Sequence, residues 1–390
     1  MKNKKISRRE FIRASGLTGA GILLSACHPD LKPTVESVGN ISETATSTPL
    51  ILTNTLPVTM IPSASPTLDY CSTVSIAKVT KYDKEVIKAA LEGMFTSMGG
   101  LNNIIKPGAN IGIKVNLTGG TWWDTPDKPP ANEYFVTHPV LVAAFAQILF
   151  DLGAGKITVM DGLGDPLIFN NWGYTQMAAE SGITLLDLCQ SAPYDGFRVY
   201  PVGEKALIYD SFYLHPALAE QDILISIAKM KCHTTTGITL SMKNLIGLAP
   251  TSLYRNRESD NNRSAFHGSA KFDERLPRVI VDLNRACPIH LAIVDGILTA
   301  EAGAGPWDAN MRQVAPGILL AGTDVLAVDM VGTTIMGFDP TSSSGSSPFI
   351  GGENHLALAA EAGLGCFDIN KIRIMGPSIN EVIFPFVPAR

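Results

Sequence analysis

The chain lacks clustered cysteines. Its six cysteines are scattered, and no Cys-x-x-Cys occurs, so neither an iron–sulfur cluster nor a zinc-ribbon site is expected. It also lacks a Gly-x-Ser-x-Gly elbow, a Walker lysine loop and a His-Glu-x-x-His helix, which argues against the common hydrolase, nucleotidase and zincin classes. Charge is sparse, at 17% of 390 residues, and the formal net charge is -5. Without a sustained basic stripe, nucleic acid is not expected as a partner. There is no internal repeat. The N-terminal apolar region, Gly16 to Ala26, is too short to cross a bilayer as a stop-transfer helix.

What is present begins with an address. Ser7-Arg8-Arg9-Glu10-Phe11-Ile12-Arg13 matches the twin-arginine export pattern, with paired arginines ahead of an apolar stretch. The stretch ends in Leu24-Ser25-Ala26-Cys27, which resembles a bacterial lipoprotein cleavage site. Residues 1–26 then form a removable leader recognised by the twin-arginine machinery, and Cys27 carries the lipid that tethers the mature chain to a membrane. An uncleaved anchor, or a plain signal with a chance cysteine, is the other reading. Residues 27–69 are rich in Ser, Thr and Pro without apolar period and read as a disordered tether spanning roughly 35 Å. The expected location is the periplasmic or extracellular side of the cell envelope. Because such proteins fold before export, the five later cysteines are expected to be mostly buried thiols. A cofactor loaded beforehand, including a metal ion, stays open.

From 70 to 390 strand and helix patterns alternate. Val74–Val79, Ile111–Val115, Lys156–Met160, Ile183–Leu186, Ile223–Ala228, His290–Val294, Gly317–Leu320 and 372–374 read as strands. Between them lie amphipathic segments with identifiable caps, such as Asp83 and Asp324 at helix starts and Pro139 in a first turn. This order predicts one α/β domain with a mostly parallel, doubly wound sheet and helices on both faces. The polar stretches 193–213 and 254–271 are expected to form a small inserted subdomain or lid.

The chemistry is expected around Asp222 to Leu248, DILISIAKMKCHTTTGITLSMKNLIGL. A strand buried on both faces runs to Ala228, followed by Lys229, Lys231 and His233, then by Lys243-Asn244 on a helical segment. Asn116, Asp161 and Asp295 follow three other strands, and Glu301, Gly303 and Gly305 lie in a Gly-rich loop. In an open α/β sheet the carboxyl ends of strands face the ligand crevice. Lysines gathered there favour a small anion, and apolar walls lower a lysine's proton affinity until it can act as a base. Lys231, His233 and Lys243 are the candidate acid–base groups. Asn116, Asn244, Asp161, Asp295, Glu301, Gly303 and Gly305 are candidate ligand-binding positions, with Glu301 able to pair with a lysine. Each also has a structural reading: Asp-Gly after a strand is ordinary turn chemistry, and a lone lysine at a strand end is usually solvated.

Lys-x-Lys-x-His followed by Thr-Gly-Ile-Thr-Leu-Ser-Met-Lys-Asn-Leu-Ile-Gly, with Ile113-Lys114-Val115-Asn116-Leu117, Ile293-Val294-Asp295-Gly296, Ala304-Gly305-Pro306 and Asp324-Val325-Leu326-Ala327-Val328-Asp329, resembles the domain-of-unknown-function 362 family. The likeness runs from about Ser75 to Gly376. Many members carry a ferredoxin-like cysteine cluster beside this domain, and this chain has none. The resemblance supports the site and implies no substrate. Three functions are therefore carried: an enzyme on a small anionic substrate, a non-catalytic anionic-solute-binding lipoprotein, and a metal or cofactor carrier.

Overall fold

The computed structural model describes residues 69–124 and 130–390. The twin-arginine leader, Cys27 and the Ser/Thr/Pro tether lie outside the described residues.

Twelve strands are described: β1 (Ser72–Lys78), β2 (Asn110–Val115), β3 (Lys156–Asp161), β4 (Thr184–Asp187), β5 (Arg198–Pro201), β6 (Ser211–Leu214), β7 (Ile223–His233), β8 (Gly237–Thr239), β9 (Leu291–Glu301), β10 (Arg312–Val314), β11 (Ile318–Gly322) and β12 (Ile372–Met375). Ten share one sheet in the order β12-β1-β11-β9-β7-β2-β3-β4, with β10 added to β9 and β8 to β7. Along that path β11 alone runs against the rest. The sheet is mostly parallel and not a closed barrel, as the alternation of strand and helix patterns implies.

Both faces are covered. Ile225, Ile227, Leu291 and Ile293 join one core with helices α1 (Lys84–Ser97), α2 (Pro139–Asp151) and α3 (Tyr174–Ser181). Their strand neighbours Ala292 and Val294 join a second core, on the opposite face, with α4 (Arg275–Ala286), α5 (Val325–Ile335) and α6 (His355–Glu361). The period of two along a strand divides one apolar run between two layers. Helix starts follow the sequence closely. Asp83 accepts from Val86 N, Asp324 accepts from Ala327 N, and Pro139 opens α2 behind His138, whose ring accepts from Val140 N. Each cap occupies a backbone donor that a helix start leaves without an internal partner.

The insertion between β4 and β7 is a separate two-stranded sheet, β5-β6. Its second strand begins at Ser211. Aromatic packing joins it to the polar stretch after Tyr254: Tyr209 meets Tyr254 at 5.8 Å and Phe266 at 5.7 Å between ring centroids.

Three features depart from the sequence reading. First, β7 does not stop at Ala228 but runs on through Lys229, Lys231 and His233. Met230 and Cys232 belong to the second core, so the alternation continues with lysines in place of aliphatics. Second, β9 runs through Asp295-Gly296 to Glu301, so that Asp-Gly pair is strand and not turn. The two extensions have one cause: Lys229 is in register with Asp295 and forms a buried ion pair with it at 3.0 Å, so neither charge needs the strand to end. Third, Cys71 and Cys366 form a disulfide joining the start of β1 to the segment before β12. Cys232 and Cys287 are buried thiols and Cys189 is half-buried.

Candidate functional site

Parallel strands bring their carboxyl ends to one edge. At that edge, the ends of β2, β3 and β7 enclose a cavity of about 440 Å³. Asn116, Asp161, Lys231, His233, Lys243 and Asn244, six of the positions marked from sequence, line it. The hairpin β7-β8 returns the chain over the sheet. Lys243 then opens a 3-10 helix, Lys243–Leu248, and the carboxylate of Asp329 on α5 accepts from Ser241 N and Met242 N. That clamp fixes the backbone immediately ahead of Lys243.

One charged pair and an amide network form the floor. Lys114 Nζ lies 2.8 Å from Asp161 Oδ1, and the carboxylate also accepts from Leu117 N at 2.7 Å and Gly162 N at 2.8 Å. A Cβ at Gly247 would collide with both members of the pair, so glycine is what lets the 3-10 helix lie against them. Asn244 Nδ2 donates to Lys114 O and to Ser226 Oγ. Its Oδ1 therefore faces Asn116, whose Nδ2 donates to it at 3.2 Å. That orientation leaves Asn116 Oδ1 buried without a partner; Thr239 Oγ1, on the same cavity wall, is also unpartnered.

The remaining cations are not neutralised. Lys231 donates to Phe135 O at 3.1 Å and stands 3.5 Å over the Phe135 ring. Arg263 donates to the carbonyls of Ala249 and Gly162. Among the described residues no carboxylate lies within ion-pair reach of Lys231, Lys243 or Arg263. Four basic side chains thus face the cavity against one carboxylate, Asp161, and Lys114 already holds that one.

Proton affinities follow. Burial, and then the charge of Lys114, pull Lys243 down from 10.5 to about 7. Burial, and then Lys243 and Lys229, push Lys231 well below the usual lysine range. Burial also lowers Lys114, and Asp161 opposes it. His233 is held well below 6.5 by burial and then by Lys243, so it is neutral at pH 7. Its Nδ1 accepts from Thr235 N at 3.2 Å and Thr236 N at 3.4 Å, which puts the proton on Nε2 and makes that atom the donor.

The other marked positions lie elsewhere. Asp295 is fully buried beside Lys229, Tyr82 and the backbone N–H of His138, in a cluster that ties β7 and β9 to the starts of α1 and α2. Glu301 pairs with Arg312 at 2.6 Å and accepts from Val387 N; its partner is an arginine, not one of the lysines. Gly303 and Gly305 do not line the cavity, although Ala304 and Trp307 from the same loop do. A Cβ at Gly305 would collide with the Trp307 ring. Sequence reasoning marked neither Lys114, Thr239 nor Trp307 as a site residue; they line the cavity together with Trp122 and Trp123, whose loop the sequence offers equally as a site cover or as surface packing. Lys114 had a signal, being the one charge inside the apolar run of β2. Among the described residues no three His, Cys, Asp or Glu side chains gather as a metal site.

The family profile described as a domain of unknown function, DUF362, matches residues 111–334, more than half of the 390 residues. The chain belongs to the DUF362 family. That span contains every polar residue of the cavity named above. A thylakoid-associated protein of Synechocystis sp. is 29% identical over 273 residues, which cover 69% of this chain and 76% of that protein. A crystal structure of a Thermotoga maritima protein aligns with a TM-score of 0.35 at 10% identity. The match covers 64% of this chain and 57% of that one; so distant a likeness carries no argument. No helix of the described residues is long and apolar enough to cross a membrane.

Proposed function

We propose that this DUF362 protein is an exported, lipid-tethered enzyme that binds a small anionic substrate in the strand-end cavity and moves a proton on it. The observation that carries this reading is the imbalance of the cavity lining, four basic side chains against one carboxylate already engaged by Lys114. In a partly enclosed space such an imbalance favours an anion strongly. Lys231 and Arg263 hold the anion, and His233 Nε2–H donates to it. Lys243, poised at about 7, takes or returns the proton, because a base works best when its proton affinity matches the ambient pH. Support for export comes from the twin-arginine pattern and the cysteine at position 27. The Cys71–Cys366 disulfide suits an oxidising compartment, and the thylakoid-associated relative is consistent with residence at a membrane.

A non-catalytic anion-binding role is the second reading. It draws on Asp161, whose carboxylate is engaged by Lys114 and so is not free to serve as a base. Mass spectrometry of protein isolated from its native envelope tests both readings. The expected result is a lipid on Cys27 and a co-purified organic anion that is absent from Lys243→Ala. An unmodified Cys27, with no anion retained by the unaltered protein, would overturn the proposal. Turnover of the recovered anion separates enzyme from binder.

A further inference from the structure

Three of the four tryptophans in the chain, Trp122, Trp123 and Trp307, stand at the rim of this cavity. They are 52%, 38% and 46% exposed, high for side chains whose indole faces are normally covered. Trp123 and Trp307 approach at 6.1 Å between centroids, tilted by 55°. Trp307 in turn packs edge-on against Phe135, the ring beneath Lys231. A packed aromatic series therefore links the rim to Lys231, with Trp123 and Trp307 on the cavity wall and Phe135 buried behind it. On the cavity floor Asn116 Oδ1 is a buried acceptor with no donor, and its orientation is fixed by Asn244, whose own amide is locked by Lys114 O. A buried acceptor left unmet costs free energy until a ligand supplies the donor.

We propose that the cavity takes an aromatic oxyanion that also carries a hydroxyl or N–H. Its anionic group sits on Lys231 and Arg263, its donor reaches Asn116 Oδ1, and its planar ring lies against the rim tryptophans. This rests on the anionic-substrate reading above and narrows it. A bare oxyanion satisfies Lys231 and Arg263 but leaves the rim exposed and Asn116 unmet. A neutral aromatic does the reverse.

The test compares matched probes that differ by the ring: adenosine monophosphate against ribose 5-phosphate, and phenyllactate against lactate, with inorganic phosphate as the minimal anion. Titration calorimetry and tryptophan emission are read on the unaltered protein and on Trp122→Leu and Trp307→Leu. In at least one pair the ring-bearing member is expected to bind about tenfold or more tighter, the scale of a base stacked on an aromatic side chain, and to quench emission. Each tryptophan variant should shrink that ratio to below about threefold. Equal affinity within both pairs, with anions still bound, would overturn this inference and leave the anionic reading intact. Failure of every anion to bind would overturn both.

Discussion

Replacing Lys243 with methionine should stabilise the ligand-free protein, and it should do so only below a definite pH. Lys243 is half-buried, faces the cavity with Lys114, Lys231 and Arg263, and is held at about 7 against an ordinary 10.5. Below pH 7 the lysine is protonated in both folded and unfolded chains, and the folded state carries the full penalty of an unneutralised ammonium. Between about 7 and 10.5 only the unfolded chain keeps the proton, so native stability rises with pH through that window. Above 10.5 the penalty is gone. At 1.36 kcal/mol for each tenfold change in proton affinity, the drop from 10.5 to about 7 sets a ceiling of about 5 kcal/mol. Water and counter-ions in an open cavity reduce this to roughly 1–3 kcal/mol. Methionine keeps the unbranched chain and removes the charge. Urea unfolding of both proteins from pH 6 to pH 10, in a buffer whose anions do not bind, reads the difference directly. Lys243→Met should be the more stable at pH 6, with a margin that shrinks steadily above pH 7. A margin independent of pH, or a less stable variant at pH 6, would refute the account of Lys243 as an unneutralised cation.

Asp161→Asn strands Lys114 in a buried site without its counter-charge and should cost about 3–5 kcal/mol of stability, measured by the same unfolding assay. Asp295→Asn should cost a comparable amount by leaving Lys229 unpaired without weakening phosphate binding, since Asp295 does not line the cavity; a large loss of binding in a folded variant would contradict that placement. Gly247→Ala should perturb the Lys114–Asp161 pair and impair binding of inorganic phosphate, seen by calorimetry, more than it lowers the melting temperature. Removing the Cys71–Cys366 bridge by double serine substitution should cost about 2–4 kcal/mol, and a reductant should lower the melting temperature of the unaltered protein but not of the variant.

The layering and the sheet edge that carries the site were legible in the sequence. Apolar runs of four to six residues separated by capped helices specify parallel strands with covered faces, and parallel strands put Asn116, Asp161 and His233 at one edge. The extents of β7 and β9 were not legible. Lys229 and Asp295 each look like the end of a strand when read alone, because a single buried charge is prohibitively costly. Their neutralisation depends on a register between segments 66 residues apart, and no local pattern carries that information.

The same division holds for the candidate site. Residue types and strand order by themselves determined that lysines, a histidine and two asparagines would meet at the carboxyl edge of a parallel sheet. Only the tertiary structure decided which charges cancel. It gave Asp161 to Lys114, Asp295 to Lys229 and Glu301 to Arg312, and it left Lys231, Lys243 and Arg263 without a carboxylate among the described residues. Periodicity and propensity act along the chain, and so can be read from it. Whether a buried charge finds its opposite is a matter of distance in three dimensions, and electrostatic energy depends on that distance rather than on position in sequence.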